Sequence, residues 1–212
     1  MFRFFDITKF YPVNKAEKIP GAIGVLADDI VAGLMTAGIM IFLIIFGIDL
    51  WIKSKLINWL KKLLKNAKIK RILAVAESCT GGMLSSHITS ISGSSKIFDR
   101  GFITYSNDAK IHLINVKQKT LEKFGAVSKE TAIEMVEGTI KNSLASLAIS
   151  ITGVAGPDGG TSVNPVGTVY IAVMIDDKSD IKKFNFPDKG REFIRKATVY
   201  EALLLLFNEL KK

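Results

Sequence analysis

The chain has 212 residues, a 48% hydrophobic fraction, a formal net charge of +9 and a single cysteine. That length suffices for one good core with a small appendage, and the lone thiol excludes an internal disulfide and fits a reducing compartment. The basic balance would suit nucleic acid, but no aromatic-studded basic strand or DNA-binding motif accompanies it, so the charge reads as a membrane-surface feature with no nucleic-acid partner.

Residues 1–29 are mixed and turn-rich, ending in "GAIGVLADD". Residues 30–48, "IVAGLMTAGIMIFLIIFGI", carry no charge in nineteen positions. At roughly 1.5 Å per residue a helix of that length spans about 28 Å, close to the hydrocarbon thickness of a bilayer. The run therefore reads as a membrane-embedded helix, with a buried core helix as the alternative. A secretory signal fits poorly, because mixed residues precede the run and no small-residue cleavage site follows it. Lys53, Lys55, Lys61, Lys62, Lys65, Lys68, Lys70 and Arg71 crowd just after it. By the positive-inside rule they favour a cytoplasmic C-terminal side, although Lys9, Lys15 and Lys18 lie before the run. The expected location is a cytoplasmic domain tethered to the inner membrane.

From Ser54 the pattern changes. Ser54 can cap a helix through Lys65, with Leu56, Trp59, Leu60, Leu63 and Leu64 on one face. A buried strand, "ILAVAES", is followed by a helix, "GGMLSSHITSI", a loop, "SGSSKIF", and a strand, "GFITYS". "NDAKIHLINV" begins another helical stretch, and Ser128 caps "KETAIEMVEGTIKNSL", whose apolar positions recur every three or four residues. The strand "ASLAISIT" ends in the glycine-rich loop "GVAGPDGGTSVNPVGT"; strands "VYIAVMID" and "IKKFNF" and a closing helix, "GREFIRKATVYEALLLLFNEL", complete the chain. Strands interleaved with helices predict an α/β class, a three-layer sandwich with a mostly parallel sheet, preceded by the apolar helix. The expected units are residues 1–52 and 54–212.

In doubly wound sheets, sites form outside the carboxyl ends of strands. Three such ends are rich in chemistry here: "AESCTGG", "TYSNDAK" and "TGVAGPDGG". Ser78 is a weak nucleophile until a base takes its proton. The two histidines, His87 and His112, read more simply as surface or packed residues, and the G-x-S-x-G elbow is absent. Lys110, in the first turn of the helix after "TYSNDA", is the other candidate base if burial lowers its pKa. A lysine there is ordinarily solvated, and spacing alone does not bring the two residues together. Cys79 is the more reactive atom type, but adjacent strand residues face opposite ways, and without a histidine partner it reads as a packed small apolar residue. Gly81 and Gly82, at a helix start, expose N–H donors suited to an oxyanion or a phosphate. No P-loop pattern and no zinc-ligand cluster is present. The loop at 153–160, with four glycines, Pro157 and Asp158, is either a flexible connection or a functional loop.

The stretches "AESCTGG", "GSSKIFDRGFITYSNDAK", "GAVSKETAIEMVEG", "ITGVAGPDGG" and "PVGTVYIAV" resemble, in order, the CinA C-terminal domain family over residues 56–210. Stand-alone members of that family deamidate nicotinamide mononucleotide to nicotinate mononucleotide and ammonia as Ser/Lys amidohydrolases. The resemblance implies Ser78 as nucleophile, Lys110 as base, no cofactor, and nicotinamide mononucleotide as the partner molecule. With those roles, the N–H groups of Thr80, Gly81 and Gly82 would receive the oxyanion, Tyr105, near Asn107, would stack on the pyridinium ring, and Thr152 with Gly153 and Gly156 of the loop would close over the ribose, while Asp158 beside them would orient a lysine or turn the chain. Arg191 or Arg195 would meet the monophosphate; the family reads G-D-R ahead of this helix where this chain has "DKGR". Association into a homo-oligomer is a further expectation from resemblance. Larger members add a molybdopterin-binding-like domain upstream that these residues do not include.

"FRFFDITKFYPV", "GAIGVLADDIVAG" and "AGI", within residues 2–48, resemble the C-terminal end of phosphatidylglycerophosphatase A. Asp28 and Asp29 match its paired aspartates, which would hold Mg²⁺ near a lipid phosphate. The earlier acidic motif and membrane helices of that enzyme have no counterpart here. The segment reads as a truncated fusion remnant serving as a membrane contact through residues 30–48, not as an active phosphatase.

Overall fold

The computed structural model describes residues 71–210 and Leu34. The apolar helix at 30–48, the Ser54-capped helix and the Asp28–Asp29 pair lie outside the described residues. The chain divides into two compact units, Met1–Lys55 and Leu56–Lys212, and the fold belongs to the second. Along it run β1 (Leu73–Glu77), α1 (Met83–Thr89), a single 3-10 turn (Ser94–Lys96), β2 (Phe98–Ile103), α2 (Asn107–Ile114), α3 (Gln118–Phe124) and α4 (Lys129–Lys141). They are followed by β3 (Leu147–Gly153), β4 (Thr168–Ile175), β5 (Lys178–Asn185) and α5 (Arg191–Glu209).

The five strands form one sheet in the order β2-β1-β3-β4-β5. Strand β1 runs parallel to both β2 and β3, whereas β3–β4 and β4–β5 are antiparallel. The expected mostly parallel sheet is thus corrected to a mixed one. The reason lies in the connections. A parallel neighbour needs a crossover, usually a helix, and helices separate β1 from β2 and β2 from β3. Between β3 and β4 there is only the glycine-rich loop, and β4 turns directly into β5 at Asp176 and Asp177, both at positive φ (47° and 68°). That is the backbone geometry of a tight hairpin.

Period-two alternation sorts the sheet's side chains by size. Leu73 and Val75 of β1, Leu147, Ile149 and Ile151 of β3, and Val169, Ile171 and Val173 of β4 pack with Leu84 and Ile88 of α1 and Ile194, Val199 and Leu206 of α5. On the opposite face Ala76 meets Ile114 of α2, Leu121 of α3 and Met135 of α4, and Ala148 and Ala172 meet Ala132 and Val136. Small residues on this face let α4 sit close, and the Ser150 hydroxyl donates to the Ala132 carbonyl at 2.6 Å. Helices therefore cover both faces. Helix α3, over "QKTLEKF", is an element that propensity did not single out; Leu121 and Thr120 are its buried residues, too few for a visible stripe.

The Ser128 cap read from sequence has the expected geometry, its hydroxyl accepting from Thr131 N–H, and the structure adds a second at the start of α2, where Ser106 accepts from Ala109 N–H. Gly138 of α4 packs directly on the end of α2, where an added Cβ would lie 1.8 Å from the Ile114 carbonyl oxygen. We expect Gly138→Ala to destabilise the fold by about 1–3 kcal/mol through overpacking, despite the roughly 1 kcal/mol helix gain of alanine over glycine. The check is a lower denaturant midpoint at unchanged slope; a raised midpoint would contradict this packing.

Candidate active site

The order of the three parallel strands places a topological switch point between β1 and β3, because α1 leaves β1 on one face and α2–α4 reach β3 on the other. Ser78 sits there, one residue beyond β1, with its N–H donating to the Ile151 carbonyl at 3.0 Å. The alternation that buries Ala74 and Ala76 toward α2 and α4 carries Ser78 to the same side. Cys79, of opposite parity, joins the core beneath α1 and α5.

Lys110 projects from the first turns of α2 and is 1% exposed. Its Nζ lies 3.1 Å from Ser78 Oγ and donates to the Thr104 carbonyl at 2.9 Å. Thr104 is itself fixed to β1 by its N–H, which donates to the Glu77 carbonyl at 2.8 Å. Among the described residues no carboxylate is paired with Lys110. Burial therefore penalises the ammonium without compensation and pulls its pKa from 10.5 down to about 8, the nearby Cys79 opposing only weakly. A fraction of the amine is thus neutral near physiological pH. Burial acts on Cys79 in the opposite sense, pushing its thiol up to about 12 and keeping it protonated. His87 Nδ1 is engaged with the Met83 carbonyl at 2.8 Å, and His112 is exposed.

The turn after Ser78 differs from the sequence expectation. Gly81 and Gly82 adopt positive φ (54° and 90°), the region that favours glycine. The Gly81 N–H donates to the Ser78 carbonyl at 3.1 Å. The Gly82 N–H is taken by Glu77 Oε2 at 3.1 Å, so neither glycine amide is open to an oxyanion. Among the described residues, no backbone carbonyl or carboxylate accepts from the N–H groups of Cys79 and Thr80 in this turn, and the Cys79 N–H meets only its own thiol.

Glu77 is the residue that sequence reasoning missed. Although fully buried, its carboxylate accepts from the N–H groups of Gly82 (3.1 Å), Leu84 (3.0 Å) and Ser85 (2.8 Å) and from the Ser85 hydroxyl (2.7 Å). A carboxylate at a helix start is favourable both for the dipole and for the orphan donors. The available signal was an acid ending the apolar run "LAVA" just before a helix.

The remaining predicted residues divide. Arg191 Nη2 donates to Tyr105 Oη at 2.8 Å and its Nη1 to the Gly156 carbonyl at 2.9 Å, tying the ends of β2 and β3 to α5. Tyr105 is 60% exposed, so its ring faces are accessible. Arg195 Nη2 donates to the Thr80 carbonyl at 2.6 Å. Thr152 is corrected: it is 1% exposed and its hydroxyl donates to the Ala126 carbonyl at 2.6 Å, so it holds a loop and is not presented to a ribose. Gly153 is also a packing residue, since a Cβ there would lie 2.7 Å from the Thr168 carbonyl. Asn107 opens α2 and is exposed, as is Asp158 in the glycine-rich loop. Among the described residues no group of three His, Cys, Asp or Glu could hold a metal ion, and no helix is long and apolar enough to cross a membrane.

Comparison with known proteins matches residues 53–210 to the CinA C-terminal domain and residues 1–44 to phosphatidylglycerophosphatase A. A competence-damage inducible protein of Clostridium botulinum (strain Langeland) is 49% identical over 154 residues, 72% of this chain and 37% of that protein. The chain therefore spans little more than a third of the length of the curated relatives it matches. Among solved structures, a competence/damage inducible protein from Agrobacterium tumefaciens is 39% identical, with a TM-score of 0.67 over 72% of this chain and 95% of that one. A CinA superfamily protein from Klebsiella pneumoniae 700603 is 29% identical, with a TM-score of 0.71 over 76% and 98% of the two chains.

Proposed function

The chain belongs to the CinA family through residues 53–210, and from that premise we propose that this domain is a Ser/Lys amidohydrolase that converts nicotinamide mononucleotide to nicotinate mononucleotide and ammonia. The observation that carries the reading is the buried contact of 3.1 Å between Lys110 Nζ and Ser78 Oγ. A neutral Lys110 takes the Ser78 proton as Oγ attacks the carboxamide carbon. The Thr104 carbonyl keeps the amine in place by accepting one of its N–H bonds. The tetrahedral oxyanion is received by the N–H groups of Cys79 and Thr80, preorganised donors in a largely dry site. Lys110, now an ammonium, returns the proton to the departing ammonia, and the same amine then activates the water that releases the acyl group. Tyr105 supplies a π face for the cationic pyridinium ring, and the guanidinium of Arg191 lies beside it for the phosphate.

The test is ammonia release from nicotinamide mononucleotide by the whole chain. Binding of the nucleotide without any release would replace this reading with a non-catalytic nucleotide-binding module.

A pH profile provides a separate check. Because the base form of Lys110 is the active one and its pKa lies near 8, kcat/KM should rise about tenfold per pH unit below that value and level off above it. A rate independent of pH between 6 and 9 would argue against a lysine base.

We also place residues 1–52 as a separate segment that anchors the domain to the membrane through residues 30–48, leaving the catalytic unit at 54–212 in the cytoplasm. The charge-free run at residues 30–48 and the match of residues 1–44 to phosphatidylglycerophosphatase A are the grounds for this reading. The whole chain should sediment with membranes, and a chain starting near Ser54 should not; equal distribution of both would exclude the anchor.

A further inference from the structure

Two glycines in left-handed conformations follow Thr80, and a Gly-Gly pair has no conformational preference strong enough to fix the turn by itself. The structure restrains it from outside at both ends. Beyond the glycines, the Glu77 carboxylate gathers the amides of Gly82, Leu84 and Ser85. Before them, Arg195 reaches across from α5 and donates to the Thr80 carbonyl at 2.6 Å, a charge-assisted bond, while the Met83 N–H donates to the same oxygen at 3.2 Å. The Nε of Arg195 is buried with no hydrogen-bond partner among the described residues. A guanidinium held with one nitrogen in the interior and another on a backbone carbonyl is not presented as a fork to an incoming anion.

From this geometry we infer that Arg195 is a positioning residue for the oxyanion turn, acting with Glu77 to hold the Cys79 and Thr80 amides in place, and is not a ligand of the substrate phosphate. The inference rests on the reading of Ser78 as nucleophile, and it divides the labour of the two arginines. Arg191, beside the exposed Tyr105 ring, contacts the substrate. Arg195 acts through the backbone. Residues 81 and 82 transmit the restraint, since an unrestrained glycine pair lets the Thr80 peptide rotate and the neighbouring amides lose alignment.

The experiment uses the full chain with Arg195→Met and Arg195→Lys, followed by two measurements. The first is ammonia release from nicotinamide mononucleotide, resolved into kcat and KM. The second is the rate of Ser78 labelling by a fluorophosphonate, a probe that needs the oxyanion donors but carries no nucleotide phosphate. Arg195→Met should slow labelling and lower kcat by about 10- to 100-fold with KM changed less than about threefold, below the roughly 10²–10³-fold cost of deleting an oxyanion donor outright because the amides are misaligned and not removed. Arg195→Lys, which keeps a cationic donor for the Thr80 carbonyl, should recover part of both losses. If Arg195→Met folds poorly, the labelling rate of Arg195→Lys relative to the parent chain decides, with an intermediate rate expected. Labelling at the parental rate in either variant, or a KM raised tenfold at unchanged kcat, overturns the inference. A parent chain that labels at Ser78 yet releases no ammonia ends the amidase reading while leaving the labelling comparison to judge Arg195. A parent chain that does not label at all overturns both.

Discussion

Replacing Ser78 by alanine, or Lys110 by methionine, should reduce ammonia release from nicotinamide mononucleotide by roughly 10²–10⁴-fold or more, with binding of the nucleotide retained. General-base proton transfer contributes on that order, and removal of a nucleophile that acts as a unit with its base costs at least as much. The two losses should not add, because each variant disables the same step; a double variant close to either single one is the expected signature. Methionine is the informative replacement at 110, since it keeps the length and apolar packing of the lysine stem while removing the amine. The stability of that variant carries an independent sign. Lys110 titrates near 8 in the folded chain against about 10.5 when exposed. Between those values the unfolded chain binds more protons, so stability of the parent rises with pH through that window. Lys110→Met lacks this titration, and the stability difference between the two chains should shift in favour of the parent as pH goes from 8 to 10. Full activity in either single variant would end the Ser/Lys mechanism, and a pH-independent difference would show that the amine is not held in a desolvated site.

The largest effect on stability should come from Glu77. Glu77→Gln preserves shape but turns one carboxylate oxygen into an amide nitrogen that cannot accept. Each oxygen now serves two donors, Oε2 those of Gly82 and Leu84, and Oε1 the N–H and hydroxyl of Ser85. Whichever way the amide turns, two donors at the buried start of α1 lose their acceptor, at about 1–3 kcal/mol each. A net loss of about 2–4 kcal/mol follows, or roughly 5–15 °C in melting temperature for a unit of this size. Glu77→Ala should be worse, because all four donors are stranded and a cavity is left. Thermal or denaturant unfolding measures both. A glutamine variant as stable as the parent would mean that the carboxylate's charge and fourfold acceptance contribute nothing, which would remove the basis for the rigid turn after Ser78. Activity should fall with stability in this case, since the same carboxylate holds the turn that carries the amides of Cys79 and Thr80.

What the sequence by itself determined about this protein is the set of elements and the three strand ends that matter. Period-two and period-3.6 patterns are local, and so are serine caps and glycine runs; the Ser128 cap, the buried strands and the glycine-rich loop were legible for that reason. Sheet direction was not, because antiparallel pairing of β4 depends on a helix being absent after β3, and the pattern of an apolar strand is the same either way. Family resemblance assigned roles to Ser78 and Lys110, yet thirty-two positions of chain separate them, and only the crossing of α2 over the parallel strand ends brings Nζ within bonding reach of Oγ. The tertiary structure likewise decided which amides are open. Gly81 and Gly82 look like oxyanion donors in sequence, but Ser78 and Glu77 occupy them, and that follows from the parity that turns residue 77 toward α1 and residue 78 toward α2. Desolvation, which makes a lysine into a base, is a property of everything packed around position 110 and is written in no residue near it.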